Sequence, residues 1–320
     1  MRFNHKIIKL SLIDFNDDSF RITTRKNIDH LMASIDHVGM LTPPLLIEKK
    51  SGYKIVCGFR RVEACRRLGW EDLEARILDS DTKKFECITY AITDNALQRP
   101  LNLIEQSKSI HLLDDFFKDV EALSESLSIM GLPSNPSLIK KIKELYHLPE
   151  LIRSGIGSNT ISLAMALELG RLQPEAGECL AKLFQTLTLS LNKQREILRL
   201  VKEISLREDI SMLKVVEDVN LQKILRNKNL DRNQKIREIR AYLKQWRFPV
   251  ITATEKKFEK HVKKLKLGSG TKLIPPDNFE GTTYTLKITF KNLIELKDRM
   301  NIVDEVIKNP ALKEILDRRI

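Results

Sequence analysis

Cysteine is scarce in this sequence: four residues, Cys57, Cys65, Cys87 and Cys179, among 320. None stands at metal-ligand spacing from another, which argues against a disulfide framework or a zinc site and fits a reducing compartment. Long apolar runs are missing too. No stretch of about 18 apolar residues occurs, and residues 1–10 carry charges where a secretory signal needs an apolar core. Neither a membrane span nor a signal peptide is therefore expected, and the expected location is the cytoplasm. Disorder is excluded by composition, since 42% of residues are hydrophobic and 31% charged. At roughly 150 residues per domain the length corresponds to two or three domains, too many for a small stapled scaffold.

Acidic charge is in deficit: 43 Asp and Glu face 55 Lys and Arg, a net charge of +12. Residues 191–267 hold nearly all of the excess, with 21 basic against 10 acidic side chains. Localised positive charge calls for a polyanion, nucleic acid first and anionic lipid second.

Periodicity divides the chain. Residues 7–13, 44–48, 53–57 and 73–78 read as strands, interleaved with helices over 26–38 and 59–68, a small mixed α/β unit. From 82 to 265 the pattern is helical, with breaks at Pro100, 131–136, Pro149, 155–157, Pro174 and Pro249. A Gly-Ser-Gly segment at 268–270 and Pro275-Pro276 mark a further edge. Beyond it Tyr284, Leu286, Ile288 and Phe290 alternate with polar residues as in a half-buried strand. Leu296, Met300, Val303 and Ile307 then form the stripe of a helix that Asn309-Pro310 ends. A lone strand with open edges needs a partner, which points to pairing with a second copy.

Two segments have chemistry in them. Gly58-Phe59-Arg60-Arg61 follows a strand and opens a helix, so free N–H groups and two arginines face one point. That suits a phosphate, and equally describes an ordinary corner with solvated arginines. Asp94-Asn95 closes a helix with two oxygen donors of the kind that hold Mg²⁺, or is simply a helix terminus. Seven residues on, Asn102 with Glu105 has the spacing of a capping box.

Taken together, Gly-Met-Leu-Thr-Pro-Pro-Leu-Leu-Ile at 39–47, Gly-Phe-Arg-Arg-Val-Glu-Ala at 58–64 and the Asp-Asn to Glu run at 94–105 resemble the blocks of the ParB family of partition proteins. The resemblance covers about residues 7–190. It implies an α+β, multidomain protein: a ParB/sulfiredoxin-like nucleotide-binding domain (1–98), a helix-turn-helix DNA-binding domain (99–190), a basic helical extension (191–267) and a C-terminal strand-helix dimerisation module (271–320). It also implies CTP and Mg²⁺ as cofactors, with Arg21, Gly58, Phe59, Arg60, Arg61, Asp94 and Asn95 at the nucleotide and Asp94 and Asn95 at the metal. A clamp closing on double-stranded DNA, a homodimer and a Walker-type partition ATPase as partner follow from the same resemblance. The chain departs from the family where Phe59 replaces a loop glutamate, Asp94 replaces a glutamate, and the arm 16–21 lacks a proline-glutamine pattern. A ring cannot orient water, so slow or absent CTP hydrolysis is expected, at most a weak CTPase. The sulfiredoxin cysteine is also missing at Phe59, and Cys57 reads as a buried apolar residue.

Within the helical middle, residues 120–130, a turn at Gly131 and a helix after Asn135-Pro136 read as helix-turn-helix, its second helix carrying Lys140, Lys141 and Lys143 for phosphate contact more than base reading. Lys256, Lys260, Lys263 and Lys264 flank the stripe Phe258, Val262 and Leu265. That face is either the solvated side of a core helix or a DNA-backbone surface. Two other functions stay open on the sequence: a transcription or copy-number regulator of this fold without nucleotide, and a nuclease or phosphotransferase using Glu63, Asp94 or Glu105.

Overall fold

The structure, a computed structural model, describes residues 4–317. Two compact units emerge from the packing, Met1–Leu191 and Asn192–Ile320. The borders expected at 98/99 and 267/271 lie inside these units, and residues 318–320 of the expected C-terminal module lie outside the described residues.

The first unit opens with a five-stranded mixed sheet in the order β1-β5-β3-β4-β2, built from β1 (Asn4–Lys9), β2 (Ile13–Asp14), β3 (Leu45–Lys49), β4 (Gly52–Cys57) and β5 (Asp72–Leu78). The continuous strand expected over 7–13 is a correction: Leu10–Leu12 is a 3-10 turn. Its cause is topological, because β1 pairs with β5 at one edge and β2 with β4 at the other, so the chain must leave one ladder to reach the second. β3 and β4 form a tight hairpin closed by Gly52 at φ 139°, where a Cβ would lie 2.3 Å from the Leu12 carbonyl oxygen. Helices α1 (Asp29–Val38), α2 (Phe59–Arg67) and α3 (Lys84–Ala96) complete the α/β part. α1 begins three residues later than expected, where the Asn27 side chain accepts the Asp29 amide and satisfies the first free N–H of the helix.

The rest of this unit is helical: α4 (Leu103–Asp114), α5 (Val120–Ile129), α6 (Pro136–Glu144), α7 (Glu150–Gly157), α8 (Leu163–Gly170) and α9 (Pro174–Thr186). One core runs from Ile8 to Ile142 through the sheet, α2, α3, α4, α5 and α6, joining the α/β part to the helix-turn-helix pair. α7 runs through Gly155, where a break was expected, since that glycine gives room to Ile161, whose Cδ1 would meet a Cβ at 2.5 Å.

The second unit contains α10 (Leu191–Glu208), α11 (Met212–Val216), α12 (Val219–Arg226), α13 (Arg232–Arg247) and α14 (Pro249–Leu265), then β6 (Thr271–Ile274), β7 (Thr285–Ile288), α15 (Leu293–Lys308) and α16 (Pro310–Leu316). The strand expected to stand alone is partnered within the chain, as β7 pairs antiparallel with β6, a strand too short to read from the sequence. The apolar side of α14 is also used internally. Phe258 and Leu265 share a core with Leu267, Val306, Ala311 and Ile315, and Val262 packs against it.

Candidate functional site: an arginine-lined cavity between two helix ends

The site begins at the hinge from β4 into α2. Gly58 takes φ 92° as the N-cap of α2, and a Cβ there would sit 2.9 Å from Pro44. The turn therefore needs glycine, and it places the unpaired N–H groups of the first turn at an opening with no side-chain cap. The last turn of α3, with Asp94 and Asn95, lies at the same opening. A helix start that favours anions and a helix end that favours cations thus meet at one cavity.

That cavity is about 330 Å³ and is lined by Ile22, Thr23, Arg25, Leu31, Gly58, Phe59, Arg60, Arg61, Asp94, Asn95, Gln98 and Arg99. Four guanidinium groups face one carboxylate. Arg61 donates through Nη1 to the Thr42 carbonyl at 2.7 Å and through Nη2 to Asp94 Oδ2 at 3.4 Å. Arg60 donates through Nη2 to the Asn27 carbonyl at 2.7 Å, while its buried Nε has no hydrogen-bond partner. Burial first, then the neighbouring charges of Arg25 and Arg99, push the Arg60 pKa below its ordinary value. Arg99 is neutralised by Glu105, whereas Arg25 and Arg60 line the cavity with no carboxylate bonded to them among the described contacts, an arrangement that suits an anion.

Of the residues expected at the nucleotide, Gly58, Phe59, Arg60, Arg61, Asp94 and Asn95 come together here. Arg21 does not. It pairs with Asp18 at 3.0 Å, lies over the Phe59 ring at 5.2 Å, and lines a neighbouring cavity of about 620 Å³. Phe59 is 8% exposed, belongs to the core and lines both cavities, as do Thr23, Arg25 and Arg60. Arg25 and Arg99 were not anticipated. Arg25 lies in the irregular segment just before the helix expected over 26–38, and Arg99 is aimed by Glu105, a partner six residues away whose burial only the fold reveals.

The alternative catalytic carboxylates are engaged. Glu105 is fully buried and takes both Arg99 nitrogens at 2.7 Å, the Thr24 amide at 2.8 Å and the Asn102 amide at 3.1 Å. Burial works against its charge, yet the Arg99 fork and the two amides hold its pKa below the ordinary value. Its bonds with Asn102 complete the capping box of α4. Glu63 lies between Arg66 and Arg67, which hold its pKa down against burial. Cys57 is buried, which chiefly pushes its thiol up to about 12 and leaves it unreactive. Asp94, the one carboxylate lining the cavity among the described residues, and its neighbour Asn95 would offer Mg²⁺ oxygen donors. The Asn95 amide nitrogen is spent on the Ala91 carbonyl at 2.8 Å, so its oxygen is the atom on offer, and the pair fits a hard cation at a helix end.

Away from the cavity, α5 and α6 pack as the expected helix pair, with Asn135 capping α6 and Pro136 at its first position. Lys140 and Lys141 are exposed on α6, whereas Lys143 is tied to Asp114 of α4 at 2.6 Å. Lys256, Lys260, Lys263 and Lys264 are exposed on α14.

Residues 4–96 match the family model described as ParB N-terminal domain. The chain is 26% identical over 198 residues to a nucleoid occlusion protein of Oceanobacillus iheyensis, covering 60% of this chain and 66% of that protein. It is 25% identical over 167 residues to the chromosome-partitioning protein ParB of Myxococcus xanthus, covering 51% and 54%. The chain thus spans between about half and two thirds of the length of these curated relatives. Among solved structures it is similar to C-terminally truncated Caulobacter crescentus ParB complexed with CTP-gamma-S, at 22% identity over 57% of this chain and 98% of that one, with a TM-score of 0.27. The same protein complexed to the centromeric parS site matches at 20% identity over 59% and 96%, with a TM-score of 0.35.

Proposed function

We propose, from the premise that the chain belongs to the ParB family by its N-terminal domain, that it is a DNA-binding partition protein whose grip on DNA is governed by CTP. The observation that carries the nucleotide half is Arg60, half-buried, repelled by Arg25 and Arg99, and left with a buried, unpartnered Nε at a helix N-terminus. A triphosphate supplies the missing negative charge. Asp94 and Asn95 would hold Mg²⁺, which when bound would neutralise charge between the phosphates and the carboxylate. With Glu63 and Glu105 committed to arginines and Phe59 in the core, no carboxylate but Asp94 faces the cavity among the described residues, and the reading is binding with slow hydrolysis.

The DNA half rests on charge. Lys140 and Lys141 on α6 suit phosphate contact at a groove, and the lysines of α14 form a second basic face. In the C-terminal hairpin Lys272 and Lys287 stand directly opposite each other. Like charges in that register repel unless an anion lies near, which extends the basic face onto the hairpin. The chain acts as a homodimer in this reading, joined through α15, with a Walker-type ATPase as its partition partner and a cytoplasmic, nucleoid-associated location. No described helix is long and apolar enough to cross a membrane. Titration with CTP in Mg²⁺, with ATP and GTP as controls, tests the nucleotide half: saturable binding preferring CTP is expected, and its absence for all three overturns it.

A further inference from the structure

We propose that Asp94 is a latch on the phosphate site: in the nucleotide-free protein its carboxylate occupies Arg61, and a divalent cation releases that arginine to a phosphate. The inference rests on reading the cavity as a nucleotide site and concerns how that site is regulated.

Asp94 is the one carboxylate lining the cavity among the described residues, and its Oδ2 faces the same guanidinium that stands beside the start of α2. Arg61 is fixed at one nitrogen by the Thr42 carbonyl at 2.7 Å, whereas the nitrogen it offers to Asp94 is 3.4 Å away. Charge-assisted N–H···O bonds close to about 2.7–2.9 Å. The Asp94 contact is therefore loose and exchangeable, while the arginine itself is anchored. The other carboxylate oxygen accepts from Gln98 Nε2 at 3.2 Å, which keeps Asp94 aimed at the cavity.

A phosphate approaching Arg61 meets a competing anion already paired with it, and the two negative charges repel at short range. Asp94 and the Asn95 oxygen, at the C-terminal end of α3, would hold a divalent cation, which would supply positive charge beside the phosphate. With its carboxylate engaged there, Asp94 would leave the Arg61 nitrogen free for that phosphate. Arg60 bears no such latch, since its contact is with the Asn27 carbonyl and its Nε is unpartnered. Capture of a phosphate at Arg60 thus needs no metal, and engagement of Arg61 does.

The test is calorimetric titration of the full chain with CTP, in EDTA and in Mg²⁺, on the wild type, Asp94→Asn, Arg61→Ala and the double variant. Asp94→Asn keeps an oxygen for Gln98 while it removes the charge and the acceptor that faces Arg61. The wild type is expected to lose at least tenfold in affinity in EDTA. Asp94→Asn is expected to bind at least fivefold tighter than the wild type in EDTA and to lose most of the metal dependence. In the Arg61→Ala background most of the Asp94→Asn gain should disappear, because the latch has nothing to hold and only relief of carboxylate–phosphate repulsion is left. A gain undiminished without Arg61 would reduce Asp94 to simple repulsion and overturn the latch. If the wild type binds CTP with Mg²⁺ and Asp94→Asn gains nothing in EDTA, the latch falls while the nucleotide site stands. If no variant binds CTP under either condition, the site falls and the latch with it.

Discussion

Glu105 lies fully out of solvent with an arginine fork and two backbone amides on its carboxylate, so its charge is held by the fold as much as it holds the fold. Replacing one member of a buried pair leaves the other unpaired, and Glu105→Gln should cost about 3 kcal/mol at neutral pH. Because its folded pKa is depressed below the ordinary glutamate value, its contribution is present above that value and is lost as pH falls through the folded pKa. Urea unfolding of wild type and Glu105→Gln should therefore differ at pH 7 and converge in acid, once pH has fallen through the depressed folded pKa. A gap that stays constant with pH would mean that Glu105 is not charged in the folded protein. Individual residues also show what was legible in the sequence. Gly58, Arg60, Arg61, Asp94 and Asn95 could be read because each owes its place to local turns and helix ends. Arg99 owes its place to Glu105 and Thr23, a contact across 76 residues of chain that no local pattern encodes.

Elements divide in the same way. The capping box of α4, the Asn-Pro start of α6 and the glycine start of α2 are decided by neighbours in sequence, and they stand as read. The break in the first strand and the β6-β7 pairing are decided by which edge each segment must reach, so apolar continuity misled in one case and brevity hid the other. Helix α15 keeps an unpaired face: Leu293, Met300 and Ile307 are 67%, 46% and 66% exposed, while Val306 is buried on the opposite side. With Leu296 and Val303 between them the spacing alternates three and four, the seam of a helix pair. The paired substitution Met300→Lys with Ile307→Lys should yield a folded monomer by sedimentation equilibrium without nucleotide. A dimer unchanged by it would move the interface off α15. Truncation at Gly270 is a poorer probe, because it strips α16 from Phe258 and Leu265 and uncovers their core.

At the scale of the whole chain, the first unit holds the arginine-lined cavity, and exposed lysines occur on α6 in the first unit and on α14 in the second. Each phosphate contact that α14 makes should contribute about 0.9 to the log–log salt slope of DNA binding. Replacing Lys256, Lys260, Lys263 and Lys264 by Gln should flatten that slope, measured by fluorescence anisotropy on a random duplex. A slope that does not change would make this face merely solvated. The central claim is that the Arg60 and Arg61 corner of α2 receives a triphosphate. Its most direct measurement is calorimetric titration of CTP in Mg²⁺ on the wild type beside Arg60→Ala and Arg61→Ala, with thermal unfolding showing each variant folded. The account predicts saturable one-to-one binding by the wild type and at least a tenfold loss in each variant. Equal CTP affinity in all three, with folding intact, would contradict it.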